Sequence, residues 1–251
     1  MADNRKYPQQ DVKILYGKAA ARCAFSKCRK VLVLEDAFSG KAKQIGKIAH
    51  IVAHSPSGPR ADQSYPQDKL DRYVNWVLLC PTCHDIVDTQ PEKYSTEVLL
   101  KIKQEHESWV EEQLDEEMSN VSFAELEVAA KALSSGNFCG STDFHVIPPE
   151  LKITKNKLTQ LSRSYILMGL SRSSEVERFL VSMAQLDSEF PERLKNRFKE
   201  EYLELCKVSS GDELFMDMLA FANSGVSDFK QQAARLAIVS HLFHLCEIFK
   251  K

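Results

Sequence analysis

Long apolar runs are missing from this sequence: nothing in it approaches the roughly 18 consecutive apolar residues of a membrane-spanning helix, so no such span is expected. The first residues, MADNRKYPQQDVK, lack the apolar stretch of a secretory leader. The expected location is therefore a reducing cytoplasm, where disulfides are rare. Internal repeats and low-complexity tracts are also absent, which argues against solenoids and disordered tails. A large net charge is missing too, at −2 over 251 residues, and with 43% hydrophobic and 27% charged residues the composition is that of a globular chain. What is present is cysteine, seven in all. In a reducing compartment, metal binding is the reading to test.

The small net charge hides an asymmetry. Residues 1–60 carry 12 Lys/Arg against 4 Asp/Glu, and the remainder is correspondingly acidic. A basic N-terminal segment suits a polyanion, because Lys and Arg on phosphates release condensed counterions. A lysine-rich solvated face has the same composition, so charge alone leaves both open.

The patterning predicts a short helix over Asp11–Arg22 and strands over Lys30–Leu34, around Ile48–Val52 and over Val74–Leu79. Ser55-Pro56-Ser57-Gly58-Pro59-Arg60 marks a loop, and Asp85–Thr89 could hold one or two helical turns. From Thr96 to Met118, Val98, Leu99, Ile102, His106, Trp109, Val110 and Leu114 recur at helical spacing. Ser122-Phe123-Ala124-Glu125 has the form of a capping box opening a helix that ends near Gly136. Further helices are expected over Asn156–Met168, Glu175–Leu186, Pro191–Cys206, Asp212–Asn223 and from Asp228 to the end. Two domains follow, residues 1–117 with α+β character and residues 118–251 all-α.

Four cysteines form two pairs, Cys23 with Cys28 and Cys80 with Cys83, separated by 51 residues that must loop out and return. Short-spaced thiolate pairs suit a tetrahedral structural Zn²⁺, because a tight turn places both sulfurs of a pair on one side of the ion. Core packing is the competing reading, since cysteine is among the most buried residue types. Cys139, Cys206 and Cys246 sit apart on apolar patterns, where packing is expected.

His84 follows the second pair directly, His50 lies in Ile48-Ala49-His50-Ile51-Val52, and Asn75 precedes the apolar run Trp76-Val77-Leu78-Leu79. This conjunction, within Ala20–Trp109, resembles the HNH endonuclease family. The resemblance implies a ββα-metal fold in which two antiparallel strands and a helix grip a divalent ion, Mg²⁺, Mn²⁺ or Ni²⁺, beside a structural zinc. It implies hydrolysis of DNA phosphodiesters, with His50 as general base, Asn75 orienting that histidine or pinning the connecting loop, and His84 as metal ligand. A neutral imidazole suits the base role near pH 7, and a cation the developing phosphate charge.

The sequence departs from the commonest family pattern at Ala49, where a second metal ligand usually precedes the base. Asp88 shares a helix face with His84 and is the expected replacement, with His54 as the other candidate. Arg60 is a candidate for gripping phosphate through its forked donors. Lys103 is a candidate for the nucleic-acid backbone, while His106 beside Trp109 reads as packing. If Ala49 marks lost activity, the alternative is a catalytically inactive, zinc-stabilised module that binds nucleic acid or protein.

The second half shows no phosphate loop, no metal-ligand cluster and no nucleophile with a partner. Leu236, Ile238, Val239, Leu242, Phe243, Leu245, Ile248 and Phe249 cover nearly the whole circumference of the last helix, so it is buried in its own domain or against another chain. His241 and His244 read as packed, and Phe215, Met216, Met218 and Phe221 as core. An HNH domain followed by a helical domain is similar in layout to bacterial anti-phage and restriction-type effectors. That layout implies regulation through the second domain, by homodimerisation or by a partner protein such as an ABC-type ATPase.

Overall fold

The computed structural model describes residues 6–35, 42–133, 148–245 and 248–249. The chain divides into two compact units, Met1–Glu112 and Gln113–Lys251. The boundary falls inside a helix, slightly before the expected one at residue 117.

In the first unit α1 (Gln9–Lys18) starts after Pro8 and buries Val12, Leu15 and Tyr16. It stops short of the expected Arg22 because Ala20 and Ala21 take left-handed backbone (φ 46° and 50°), which turns the chain into the first cysteine loop. β1 (Val33–Glu35) and β2 (Ala42–Gln44) form one antiparallel pair, in register Val33 with Gln44. β3 (Lys47–His50) is followed by α2 (Gln67–Leu70), a single 3₁₀ turn at Tyr73–Asn75 and β4 (Trp76–Leu79). β3 and β4 pair antiparallel, Lys47 opposite Leu79 and His50 opposite Trp76. All four β4 residues are buried, as a continuous apolar run demands when both faces of a strand are covered. α3 (Pro81–Thr89) begins immediately after β4, with Pro81 at its first position. α4 (Thr96–Ser119) matches the expected long helix and carries Leu99 into a core that includes Leu15, Leu32, Trp76, Leu78, Leu79 and Val87.

Every element described in the second unit is a helix: α5 (Phe123–Leu133), α6 (Pro149–Lys155), α7 (Gln160–Leu170), α8 (Ser173–Leu186), α9 (Phe190–Leu205), α10 (Gly211–Ala222) and α11 (Phe229–His244). The Glu125 half of the expected capping box is formed, with the Ser122 amide donating to Glu125 Oε2 at 2.9 Å. α6 was not expected, and the expected helix from Asn156 begins later. Lys157 takes left-handed backbone (φ 56°), and the Thr159 hydroxyl caps α7 by accepting the Leu161 amide at 3.2 Å.

α11 is buried at every position from Gln232 to Phe243 and packs against α5, α7, α8 and α10, so its apolar circumference is satisfied within its own unit. Where α7 meets α11 the helices approach closely at Gly169: a Cβ there would lie 2.7 Å from Ser240 Cβ and 2.8 Å from the Leu236 carbonyl. Phe215, Met216 and Met218 are core, as expected, and His241 is buried with Ser173 Oγ 2.8 Å from its Nδ1. Cys206 corrects an expectation: its thiol is exposed rather than packed. Cys139 and Cys246 lie outside the described residues. Among the described residues no helix is long and apolar enough to cross a membrane.

Candidate functional site

The two cysteine pairs meet because the loop that carries the first is bonded to β4 just ahead of the second. Arg22 and Val31 form an antiparallel bridge that closes the Cys23–Cys28 loop, and the Ala24 amide donates to the Leu78 carbonyl of β4 at 2.9 Å. The second pair sits on the first turn of α3, where Cys80 Sγ accepts the Cys83 amide at 3.4 Å. All four sulfurs lie within 4.8 Å of one another, with Cys28 and Cys80 3.9 Å apart. Four thiolates held tetrahedrally at about 2.3 Å from an ion are separated by about 3.8 Å, so the set fits and can hold a structural metal such as zinc. Burial pushes the Cys23 thiol up to about 11 and raises Cys83 as well. At Cys80 burial also acts upward, but the Cys83 amide and the neighbouring thiols outweigh it and bring the group below its ordinary value. Thiolates this crowded coexist only around a cation.

β3, β4 and α3 form the two-strands-and-helix frame. Asn75, 1% exposed, sits at its centre. Its Oδ1 accepts the Val52 amide at 2.8 Å, and its Nδ2 donates to the Val52 and Leu70 carbonyls at 2.9 and 3.0 Å. Of the two roles expected for Asn75, these bonds correspond to pinning the loop: one side chain ties the chain just after β3 to the chain just before β4.

A cleft of about 250 Å³ opens beside this frame, lined by His50 and Ile48 from β3, His54, Gly58 and Arg60 from the loop, and His84 and Asp88 from α3. The three histidines expected to matter are thus brought together. His50 ends β3, largely buried, with the rings of Tyr7 and Trp76 at 6.1 and 6.0 Å. His50 Nε2 lies 3.0 Å from Asp71 Oδ1, and His54 Nδ1 lies 3.1 Å from the same oxygen. The other carboxylate oxygen, Asp71 Oδ2, accepts the Lys6 amide at 2.7 Å. Burial acts to raise the Asp71 carboxyl, but the Lys6 amide and the two histidines more than offset it and hold it below the usual carboxylate range.

Asp71 is the residue that sequence reasoning missed. It sits in an ordinary charged stretch, Asp68-Lys69-Leu70-Asp71-Arg72, and only the folding back of the loop brings it to His50 and His54. The one available signal was its place shortly before Asn75, whose bond to the Leu70 carbonyl fixes it.

On α3, His84 Nδ1 is 3.5 Å from Asp88 Oδ2, so the expected shared face is real. Asp88 Oδ1, however, is held by Arg60 Nη2 at 3.0 Å. Arg60 itself, expected on phosphate, has a side chain only 5% exposed and donates to the carbonyls of Ile51 (3.3 Å), His50 (3.5 Å) and Val87 (3.0 Å). It clasps the loop to α3 from the wall of the cleft, with its donors taken by protein oxygens. Lys103 is also corrected: it is buried, 2.7 Å from Glu107 and 3.6 Å from the centre of the Tyr73 ring, out of reach of a nucleic-acid backbone. His106 is packed, as expected, stacked on Trp109 with Nε2 3.1 Å from the Ala19 carbonyl.

No family model matches this sequence, and no curated protein is significantly similar to it. The functional reading therefore rests on the site.

Proposed function

We propose that the first unit is a metal-dependent endonuclease of the HNH type that hydrolyses phosphodiester bonds of DNA in the cleft beside β3 and α3. The observation that carries this reading is the convergence of His50, from the end of β3, and His84, from the first turn of α3, on one cleft whose loop is pinned by Asn75. Phosphodiester hydrolysis needs a group to take the proton of the attacking water and a divalent ion to offset charge on the phosphate. The cleft supplies an imidazole for each task. On the resemblance, His50 takes the proton and His84, with Asp88, holds Mg²⁺, Mn²⁺ or Ni²⁺. Zn²⁺ is the ion we assign to Cys23, Cys28, Cys80 and Cys83, where it ties the loop before β1 to the start of α3 and so keeps the frame rigid.

The same reading makes the chain the nuclease effector of a bacterial anti-phage or restriction-type system, acting in the cytoplasm. Its helical second unit would dock a regulatory partner, such as an ABC-type ATPase, or a second copy. Cutting both strands in one encounter, with one active site per chain, calls for two copies.

A second reading, a zinc-stabilised module that binds nucleic acid or protein without cutting, is favoured by Ala49, a buried methyl group at the position where the family usually places a ligand. Parallel cleavage and binding assays on duplex DNA separate the two. The nuclease reading expects metal-dependent cleavage that His84→Ala removes while DNA binding persists. The module reading expects binding alone.

A further inference from the structure

We propose that His50, His54 and Asp71 form a binding site for a divalent transition-metal ion, in place of the His84 and Asp88 pair that the resemblance implies. His50 Nε2 and His54 Nδ1 converge on a single oxygen, Asp71 Oδ1, at 3.0 and 3.1 Å, and the three ligand atoms all lie within 4.8 Å of one another. Ligands about 2.1 Å from a common ion are separated by about 3.0 Å in an octahedral shell and about 3.4 Å in a tetrahedral one. Both nitrogen-to-oxygen separations suit that range.

The surroundings have the construction of a metal site. Asn75 fixes both limbs of the loop, at Val52 beside His54 and at Leu70 beside Asp71. The second oxygen of Asp71 is oriented by the Lys6 amide at 2.7 Å, and the His50 ring is held among Tyr7 and Trp76. Such outer contacts are what aim ligands at an ion. The His54 side chain is 27% exposed and lines the cleft, so the site is open to water and to a phosphate oxygen. Asp88 is a poorer ligand, because an ion there would have to displace the Arg60 guanidinium or sit against its charge.

Two imidazoles and one carboxylate select Mn²⁺, Fe²⁺, Co²⁺, Ni²⁺ or Zn²⁺ over Mg²⁺, which prefers an all-oxygen shell. Three protein ligands leave positions for water and substrate, as at catalytic centres. The proposal rests on the nuclease reading for the site's purpose, though not for its existence, and exchanges the roles that the resemblance gives His50 and His84. With the ion at this site, His84, beside Asp88, becomes the imidazole that moves the proton.

The test is a Co²⁺ titration of the metal-free 251-residue chain, counting bound ions by equilibrium dialysis and following the thiolate-to-cobalt charge-transfer band as the signature of the cysteine site. Wild type is expected to bind two equivalents. His54→Ala and Asp71→Asn are expected to bind one, with the thiolate band intact, which also shows that the frame still folds. His84→Ala is expected to keep two. One equivalent in wild type, two in both His54→Ala and Asp71→Asn, or loss of an equivalent in His84→Ala instead overturns the proposal. Two bound equivalents with no DNA cleavage would leave this site standing and defeat the nuclease reading. Cleavage that requires added Mn²⁺ or Ni²⁺, with His54→Ala and Asp71→Asn binding and cutting as wild type does, would do the reverse.

Discussion

Asn75 and Val52 exchange two hydrogen bonds across the loop: the Val52 amide donates to Asn75 Oδ1 at 2.8 Å, and Asn75 Nδ2 donates back to the Val52 carbonyl at 2.9 Å. With the further bond to the Leu70 carbonyl, a single amide side chain holds the limb that carries His54 and the limb that carries Asp71. Asn75→Ala leaves buried backbone groups without partners, at roughly 1–3 kcal/mol each. The expected loss is about 3 kcal/mol in denaturant unfolding of the first unit. Asn75→Asp does not rescue it, because an ionised carboxylate cannot donate to either carbonyl. A variant as stable as wild type would contradict this role.

Arg60 is expected to act through stability and not through affinity for DNA. Removing its guanidinium in Arg60→Ala unties three backbone carbonyls and leaves Asp88 with His84 alone beside it, at an expected cost of about 2 kcal/mol. Lys in its place recovers little, since it lacks the fork that reaches several acceptors at once. The check is the salt dependence of DNA binding: the slope of log affinity against log salt should match wild type, whereas loss of a phosphate contact would reduce it by about one.

In the second unit the close approach of α7 and α11 depends on Gly169. Gly169→Ala places a methyl group against Ser240 Cβ and the Leu236 carbonyl, and neither can move without shifting the buried helix. Overpacking of this kind typically costs about 1–3 kcal/mol. A lowered thermal midpoint that Ser240→Gly partly restores is the expected result.

Stability of the second unit should also depend on pH through His241. Burial lowers its pKa from 6.5 to about 4, helped by the nearby charges of His244 and Lys195. Above pH 6.5 both folded and unfolded chains carry the neutral ring, and pH has no effect through this group. Between pH 6.5 and about 4 the unfolded chain takes up a proton that the native state refuses, so stability falls as pH falls, by up to about 3 kcal/mol. Denaturant melts at pH 7 and pH 4.5 measure the drop, and His241→Gln should reduce it.

The frame of the site was legible in the sequence because its signals are local. The apolar run Val74–Leu79, closed by the proline of the cysteine pair, reads as a strand, of which Trp76–Leu79 is formed, and Cys80-Pro81-Thr82-Cys83 places two sulfurs and a helix start within one turn. What escaped depends on burial and on long-range return of the chain. Arg60 and Lys103 display charge in the sequence but not the carbonyls, carboxylate and ring that absorb it. Asp71 is indistinguishable from Asp68 until the loop closes on Asn75. α6 was missed because Pro148-Pro149 reads as an interruption, whereas proline at the first helical position starts a helix without loss of a hydrogen bond.

The central claim is that the cleft of the first unit cuts DNA with the aid of a divalent ion. Its most direct test is plasmid cleavage by wild type and His50→Ala, each with Mg²⁺, Mn²⁺, Ni²⁺ or EDTA. The account predicts nicking or linearisation by wild type with Mn²⁺ or Ni²⁺, none in EDTA, and none by the variant in any condition. Intact plasmid with a fully metal-loaded wild type, or equal cutting by His50→Ala, would contradict it.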